Sequence, residues 1–249
     1  MYFMMKKLAA IIILLVNFSL PNAAFSESAP EMRVHFIDVG QGDSILIQTP
    51  LDEVILIDGG PPEAGKAVVD YLDKLSIDAI DLLIATHPDI DHIGGLPKVM
   101  ESVRVKQILD TGIFHMTKAY ASYMSQVRKQ NIPIRIAEKN ERLEIDPTIS
   151  VEVLNAHNGM KSNNKSSIVL QVSYGEIDFL LMSDVEKEQE REFLKEYDVQ
   201  AEIIKVGHHG SETSSSLQFL LAVNPEVAIL TYSKENNYGH LVKSHQEPE

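Results

Sequence analysis

The sequence predicts an α/β (α+β) domain in which two mixed sheets pack together and are covered by helices. Short runs rich in β-branched residues alternate with segments whose apolar residues recur at helical spacing, and this order occurs in both halves of the chain. No low-complexity linker separates the halves, so we expect one domain over residues 33–249. Sheets and helices that each have one apolar face bury those faces most simply in such layers.

The first half opens with three short strands that we expect to form an antiparallel meander, because turn residues at 40–43 and 49–52 separate them. A helix over 64–75 carries apolar residues at helical spacing and leads into a strand at 81–85. The meander strands are predicted at 34–38, 44–48 and 54–58. The later elements of this half are predicted as a helix over 93–102, a strand over 105–109 and a helix over 115–130.

The second half also alternates strands and helices, but its sequence does not repeat that of the first half. Its predicted strands lie at 150–154, 167–174, 178–182, 202–206 and 227–231. Its predicted helices are a charged segment over 186–196 and a shorter one over 215–222. The side chains that can carry chemistry fall in the loops after strands, where rigid scaffolds usually place reactive groups.

The composition excludes several classes of protein. The 249 residues include 22 Lys and Arg against 36 Asp and Glu, a formal charge of −14, which argues against a broad basic surface for nucleic acid. The absence of cysteine excludes disulfides, thiolate metal sites and a cysteine nucleophile. The hydrophobic fraction of 44% is that of an ordinary globular protein. The acidic excess and the nine histidines remain to be explained.

Residues 1–26 have the order of a bacterial secretory signal peptide. Lys6 and Lys7 precede the apolar run 8–16, and small residues follow up to Ser26. The run is shorter than the roughly 20 apolar residues of a spanning helix. We therefore expect export to the periplasm or medium, with an uncleaved N-terminal membrane anchor as the alternative. Cleavage after Ser26 changes the formal charge from −14 to −16.

Four side chains that can bind a metal ion fall within six residues directly after the strand predicted at 81–85. They are His87, Asp89, Asp91 and His92. Imidazole and carboxylate together suit zinc, manganese or iron. Carboxylates crowded on one turn repel each other unless a cation compensates them. The pattern favours a metal site over the alternative of an ordinary surface loop.

The string His-x-Asp-x-Asp-His at 87–92 resembles the His-x-His-x-Asp-His signature of the metallo-β-lactamase fold. Its aspartate at the third position is similar to the extracellular domain of ComEC-type competence proteins and their stand-alone relatives. Further similar strings follow the expected order at 35–44, 57–60, 163–167, 182–184, 205–211 and 237–240. The resemblance covers about residues 33 to 241 and implies an αββα sandwich with hydrolase activity.

The resemblance also implies a role for each matching residue. His87 and Asp89 would bind a first metal ion, and Asp91 and His92 a second, with Asp91 also accepting a proton from the attacking water. Asp184 would bridge the two ions. The remaining ligand would be the last histidine of the motif set, His208.

Other matching residues would support the ligands or face the substrate. Asp58 would support the metal loop, although an Asp-Gly turn is an open alternative. Asp184 has the alternative of capping the following helix. His209 is the neighbour of the last ligand, and His240 would face the substrate. Asn163 and Asn164 stand where other members carry a third histidine for the first metal.

The resemblance implies two divalent ions, Zn²⁺ or Mn²⁺. With aspartate at 89 and asparagine near 164, the first site has fewer imidazoles, which favours manganese or weak occupancy. Glycines 40 and 42 lack the third glycine of a dinucleotide site, so no dinucleotide cofactor is expected. The paired ions would activate a water for hydrolysis.

The substrate stays open between alternatives. A phosphodiester, such as DNA, follows from the resemblance, and a small ester or phosphoester of the cell envelope is the second possibility. A non-catalytic binding module with a weakened metal site is a third, from another class. Basic residues gather on the segment 98–129, including Lys118 and Arg128, where an ordinary solvated helical face is the simpler interpretation.

The C-terminal end departs from the resemblance. Family members generally have proline after the late Gly-His pair and continue through another helix and strand. Here Leu241 follows His240 and the sequence stops at Glu249. We therefore expect the domain to be truncated at its C-terminus.

Overall fold

The computed structural model of the protein describes residues 30–157, 159 and 162–234. Three sequence predictions concern residues outside these ranges: the signal peptide at 1–26, the substrate-facing His240 and the truncated C-terminal end. Within the described ranges, no helix combines the length and the apolar character needed to cross a membrane.

The elements are short and follow the predicted order closely. The strands are β1 (Arg33–Phe36), β2 (Ile45–Gln48), β3 (Val54–Ile57), β4 (Ala79–Ile80), β5 (Leu82–Ala85), β6 (Arg104–Val105), β7 (Ile108–Asp110), β8 (Ile134–Ile136), β9 (Ser150–Asn155), β10 (Val169–Tyr174), β11 (Ile177–Leu181), β12 (Ile203–Lys205) and β13 (Val227–Ile229). The α-helices are α1 (Gly65–Lys74), α2 (Ile90–Ile93), α3 (Leu96–Ser102), α4 (Lys118–Gln130), α5 (Lys187–Glu196) and α6 (Leu217–Val223). Short 3₁₀ turns lie at Pro62–Ala64, Asn164–Ser166 and Gly207–Gly210.

Most strands belong to two mixed sheets. The first has the order β1-β2-β3-β5-β7-β8 and the second β13-β12-β11-β10-β9, while β4 and β6 form a separate parallel pair. The meander β1–β3 is antiparallel as predicted, and β3, β5, β7 and β8 are parallel. In the second sheet β9, β10 and β11 are antiparallel, whereas β11, β12 and β13 are parallel.

Alternating side chains of the strands divide the core into layers. Ile45 of β2 and Val172 of β10 belong to one apolar layer that joins the two sheets face to face. Leu46 points to the opposite side, in the layer that contains α1, α3 and α4. Leu180 of β11 packs with Phe193 of α5 under the helices of the second sheet. The predicted αββα sandwich is confirmed.

Two predicted elements are wrong as continuous segments. The helix over 93–102 is instead α2 and α3, separated at Gly94 and Gly95, because the backbone there packs against another turn. The strand over 105–109 is divided into β6 and β7, which pair with different partners. The first difference bears on the site, since α2 carries two of the predicted ligands.

The alternative role of Asp184 as a helix cap is also wrong. Helix α5 begins at Lys187, and its N-terminal cap is Glu186, which forms a reciprocal capping box with Gln189. The carboxylate of Asp184 is therefore left for another partner.

Parallel pairing brings the loops with the predicted site residues to one end of the sandwich. Carboxyl ends of parallel strands meet at the same edge of a sheet. Asp58 follows β3, and the 87–92 string follows β5 in the first sheet. In the second sheet Asp184 follows β11, and His208 and His209 follow β12. Asp184 Oδ2 lies 3.8 Å from His87 Nε2, so the two edges adjoin.

Candidate metal centre

The loop after β5 is anchored by the strand beneath it. All four residues of β5 are buried, and the strand pairs with β3 on one side and β7 on the other. His87 follows this strand and is 1% exposed. Its Nδ1 lies 3.1 Å from Thr86 Oγ1, which leaves Nε2 to point away from the strand. His87 Nε2 is 3.7 Å from Asp89 Oδ2.

Asp58 forms hydrogen bonds that support the loop at residues 86–92. Its buried carboxylate accepts hydrogen bonds from the Thr86 backbone at 2.9 Å and from Thr86 Oγ1 at 2.6 Å. Asp58 Oδ2 also lies 2.8 Å from His92 Nδ1. A carboxylate can only accept here, so His92 donates from Nδ1, and its Nε2 then carries the lone pair that a metal ion needs.

Glycines let the surrounding backbones approach α2 closely. The Gly59 amide donates to His92 O at 2.8 Å, and the Gly95 amide donates to Gly60 O at 2.8 Å. A Cβ at Gly42, whose φ is +129°, would lie 2.0 Å from Asp91 O. Only glycine fits there, so this turn sets the position of Asp91 from the opposite side.

Asp184 lies at the centre of the histidines. Its Oδ1 is 3.3 Å from His92 Nε2, and its Oδ2 is 3.8 Å from His87 Nε2. Oδ2 is also 3.4 Å from His209 Nε2 and 3.9 Å from His208 Nε2. A carboxylate whose two oxygens face different imidazoles can bridge two cations.

His208 and His209 both have left-handed backbone angles, with φ of 47° and 52°. Both Nε2 atoms face Asp184 Oδ2, but the two rings have different further neighbours. His209 Nε2 lies 3.5 Å from Asp91 Oδ2. His208 Nε2 lies 3.3 Å from Asn164 Nδ2 instead. His209, rather than the expected His208, therefore stands with Asp91 and His92.

Several buried polar atoms of the site have no hydrogen-bond partner among the described residues. They include His87 Nε2, His92 Nε2 and Asp184 Oδ1. Polar atoms at this depth are normally paired, because burial without a partner costs about 1–3 kcal/mol. Ligand atoms of His87, His92 and Asp184 lie within 4.8 Å of one another, as do those of Asp91, His92 and His209. The donor set fits divalent cations.

Without a cation, protons stabilise the cluster instead. Burial lowers the pKa of His92, but the carboxylates of Asp184 and Asp58 outweigh burial and raise it well above its usual value. Burial would also lower the pKa of His209, but Asp184 and Asp91 outweigh burial and raise this pKa to about 9. Burial and the neighbouring His92 lower the pKa of His87.

The carboxylates are held in their charged form. Burial alone would raise the pKa of Asp184, yet the imidazoles of His92 and His209 hold it well below its usual value. Burial alone would also raise the pKa of Asp91, but the hydrogen bond with His209 lowers it to about 2. These carboxylates therefore remain charged at neutral pH.

Sequence reasoning missed two charged residues of the site, Asp43 and Lys205. Lys205 Nζ is buried and lies 2.5 Å from Asp43 Oδ2 and 4.0 Å from Asp184 Oδ1. It also donates to Ser183 O at 3.2 Å. A lysine that follows two isoleucines in a short strand is the signal that could have indicated this buried cation.

Both asparagines lie beside predicted ligands, Asn163 beside Asp89 and Asn164 beside His208. Asn163 Nδ2 donates to Asp89 Oδ1 at 2.6 Å, and the same atom lies 3.3 Å from His115 Nε2. No sequence motif surrounds His115. Asn163 therefore positions Asp89 and connects it to the start of the α4 segment.

The fold and the site together define the class of the protein. The family model described as the metallo-beta-lactamase superfamily matches residues 37–233. The chain belongs to this superfamily.

Its curated relatives are larger proteins. The chain is 30% identical over 229 residues to ComE operon protein 3 of Bacillus subtilis (strain 168), covering 84% of this chain and 29% of that protein. It is 28% identical over 223 residues to competence protein ComA of Neisseria gonorrhoeae, covering 86% of this chain and 29% of that protein. The chain thus spans less than a third of the length of these relatives.

A solved structure supports the fold. The chain is similar to Igni18, a metallo hydrolase from Ignicoccus hospitalis KIN4/I, with a TM-score of 0.52 and 16% identity. The similarity covers 80% of this chain and 82% of that one. At this identity it supports the shared architecture alone.

Proposed function

We propose that this domain is an exported, metal-dependent phosphodiesterase whose substrate is DNA. One observation carries the proposal: buried imidazole nitrogens and a carboxylate oxygen converge without hydrogen-bond partners among the described residues. Two divalent ions held by these atoms would lower the pKa of a water and stabilise negative charge on a phosphoryl oxygen.

The ligands divide into two sets that share Asp184. His87, Asp89 and Asp184 form the first set, with His87 Nε2 3.7 Å from Asp89 Oδ2. Asp91, His92, His209 and Asp184 form the second. The carboxylate-rich first set favours manganese, and the second, with two imidazoles, suits zinc. His208 Nε2, at 3.9 Å from Asp184 Oδ2, adds a further imidazole at the edge of the first set.

Asp91 is the residue that we assign to proton transfer. Its side chain is 18% exposed, whereas that of Asp184 is only 5% exposed. Asp91 is a carboxylate at neutral pH, which is the form that a general base needs. His240, outside the described residues, keeps its proposed role facing the substrate.

The choice of DNA rests on the similarity to a competence protein and on the sequence motifs. The negative charge of the chain gives little attraction for a polyanion, so a small ester or phosphoester of the cell envelope is the second candidate. Export rests on residues 1–26 alone. N-terminal sequencing of the exported protein should begin at residue 27, and an intact N-terminus would favour the membrane anchor.

The test is hydrolysis of bis-p-nitrophenyl phosphate and of DNA by the purified protein with Mn²⁺ or Zn²⁺. Cleavage of both is expected, and His92→Ala should abolish it. His35→Ala is the matched control, because His35 contacts Tyr71 and Gln48 outside the site. Cleavage of the small diester but not of DNA would favour the envelope substrate. Metal binding without any hydrolysis would contradict the enzyme assignment.

A further inference from the structure

A cavity of about 460 Å³ lies at the start of α4. This volume falls in the range of roughly 300–1,000 Å³ that is typical of small-molecule sites. Its apolar lining includes Phe114, Met116, Tyr120 and Met124. The cavity is therefore large enough for an aromatic ring system.

The apolar side chains of the cavity are unusually exposed. Phe114 is 75% exposed and Met116 is 90% exposed, although both are large and hydrophobic. The Phe114 ring meets Tyr120 nearly edge to face, with centroids 5.8 Å apart and planes at 83°. Tyr120 thus fixes one side of Phe114 while much of its surface stays open. Adjacent exposed apolar side chains of this kind mark binding sites.

The charge of the cavity differs from that of the chain as a whole. Lys118 and Arg128 line it, and no carboxylate does so among the described residues. The whole sequence has 36 acidic against 22 basic residues, so two cations without a lining carboxylate form a locally positive environment. This arrangement is complementary to phosphate.

His115 connects the cavity to the metal centre. It lines the cavity, and its Nε2 lies 3.3 Å from Asn163 Nδ2. The same Asn163 nitrogen donates to Asp89 Oδ1 at 2.6 Å. A linear polymer bound at the proposed metal centre would therefore lie next to this cavity.

We propose that this cavity is a base-stacking subsite that takes an unpaired nucleobase of single-stranded DNA. Phe114 supplies the stacking surface, and Lys118 and Arg128 hold the flanking phosphates. Stacking suits any base, because every base has a π-face. The inference rests on the proposed function, because the phosphodiester that adjoins the stacked base would lie at the proposed metal centre.

The sequence offers a direct probe of stacking. The chain has no tryptophan, so Phe114→Trp introduces a single indole into the cavity. Single-stranded DNA should quench the fluorescence of this indole in the presence of EDTA, where hydrolysis does not occur. An abasic oligonucleotide of equal length should quench much less. Leu217→Trp is the matched control: Leu217 is 73% exposed on α6, outside the cavity, and an indole there should not respond.

Three results would overturn the subsite. The first is equal quenching by the abasic strand, which would indicate attraction to phosphate alone. The second is no quenching by any DNA. The third is a blue shift of the indole emission with anionic lipid vesicles but not with DNA. Because the binding test runs without metal, it decides the subsite even if the protein hydrolyses nothing. Failure of hydrolysis with quenching intact would count against the proposed enzyme activity.

Kinetics give a second measure. Phe114→Ala should reduce the preference in kcat/KM for ordinary over abasic single strands by about tenfold, the typical loss of one stacked base. Phe114→Trp should keep that preference, since the ring is retained. An unchanged preference in Phe114→Ala would contradict the subsite.

Discussion

Three of the proposed ligands of the metal centre are each positioned by a neighbouring residue. His92 is directed by Asp58, Asp89 by Asn163, and Asp91 by the backbone of Gly42. Such supporting contacts set the tautomer and the direction of the ligand before a metal binds. The properties of the site therefore depend on residues that never touch the metal.

Asp58→Asn should weaken metal binding by about 10- to 100-fold. The amide keeps an acceptor for Thr86, but its NH₂ group then faces His92 Nδ1, so the proton moves to Nε2 and blocks the ligand atom. Competition with a fluorescent chelator measures the affinity. Asp70→Asn is the control, because Asp70 forms a surface ion pair with Lys66 and, within the described part of the chain, no ion pair with the site. Equal affinities of both variants and the unaltered protein would refute the role of Asp58.

Lys205→Met should destabilise the metal-free protein by about 3–5 kcal/mol, the usual loss when one partner of a buried ion pair is removed. Asp43 would then lose its closest cation, 2.5 Å away, while its own side chain is only 3% exposed. Urea unfolding measures the change. Lys106→Met, which removes an exposed partner of Asp81, should leave the unfolding midpoint almost unchanged. Equal effects of the two substitutions would show that Lys205 is not the cation that holds the site together.

Metal binding at pH 7 should release about two protons, because His92 and His209 are protonated in the metal-free protein. His87, with its lowered pKa, should release none. Raised pKa values mean that protons compete more strongly with the metal as pH falls. Affinity should therefore rise with pH through about 9, the pKa of His209, and continue to rise until His92, whose pKa is also raised, has lost its proton. Calorimetry in buffers of different ionisation enthalpy counts the protons. His209→Asn should release one fewer, and His35→Ala the same number. Binding without proton release would contradict the assigned protonation.

At the scale of elements, the site depends on close packing of turns against α2. The sequence predicted the 87–92 string as a unit because its residues are adjacent along the chain. It did not predict the break between α2 and α3, because the break depends on contact between Gly95 and Gly59, which is distant in sequence. A Cβ added to Gly95 would lie 2.0 Å from Gly59 O. Nor did it separate His209 from His208, since only the left-handed turn decides which ring faces Asp91.

Gly42→Ala should destabilise the protein and reduce its metal content, because the new Cβ would lie 2.0 Å from Asp91 O and displace α2. The cost should exceed about 1–3 kcal/mol, the range for overpacking. Gly40→Ala is the matched control: Gly40 also has a positive φ, but nothing lies within 4 Å of its Cβ position. Thermal unfolding and metal analysis of both variants test this. If the two variants behave alike, backbone strain rather than contact with α2 is responsible.

At the scale of the whole molecule, the proposed metal centre accounts for part of the acidic excess and for some of the histidines. The sandwich brings Asp89, Asp91 and Asp184 together with the histidine rings at one end, where bound cations would neutralise them. The pairing of Asp43 with Lys205 joins the first sheet's turn to the second sheet across 162 residues of sequence. No local pattern could predict that contact, although the fold class and most strands followed from periodicity.

The most direct test of the proposed dinuclear centre is the metal content of the purified protein by elemental analysis. We expect two equivalents of zinc or manganese per chain after dialysis against the metal, one for each proposed ligand set that shares Asp184. Asp184→Ala should lose most of this metal, and His35→Ala should retain it. Equal metal content in Asp184→Ala and the unaltered protein, or no bound metal in either, would contradict the central claim.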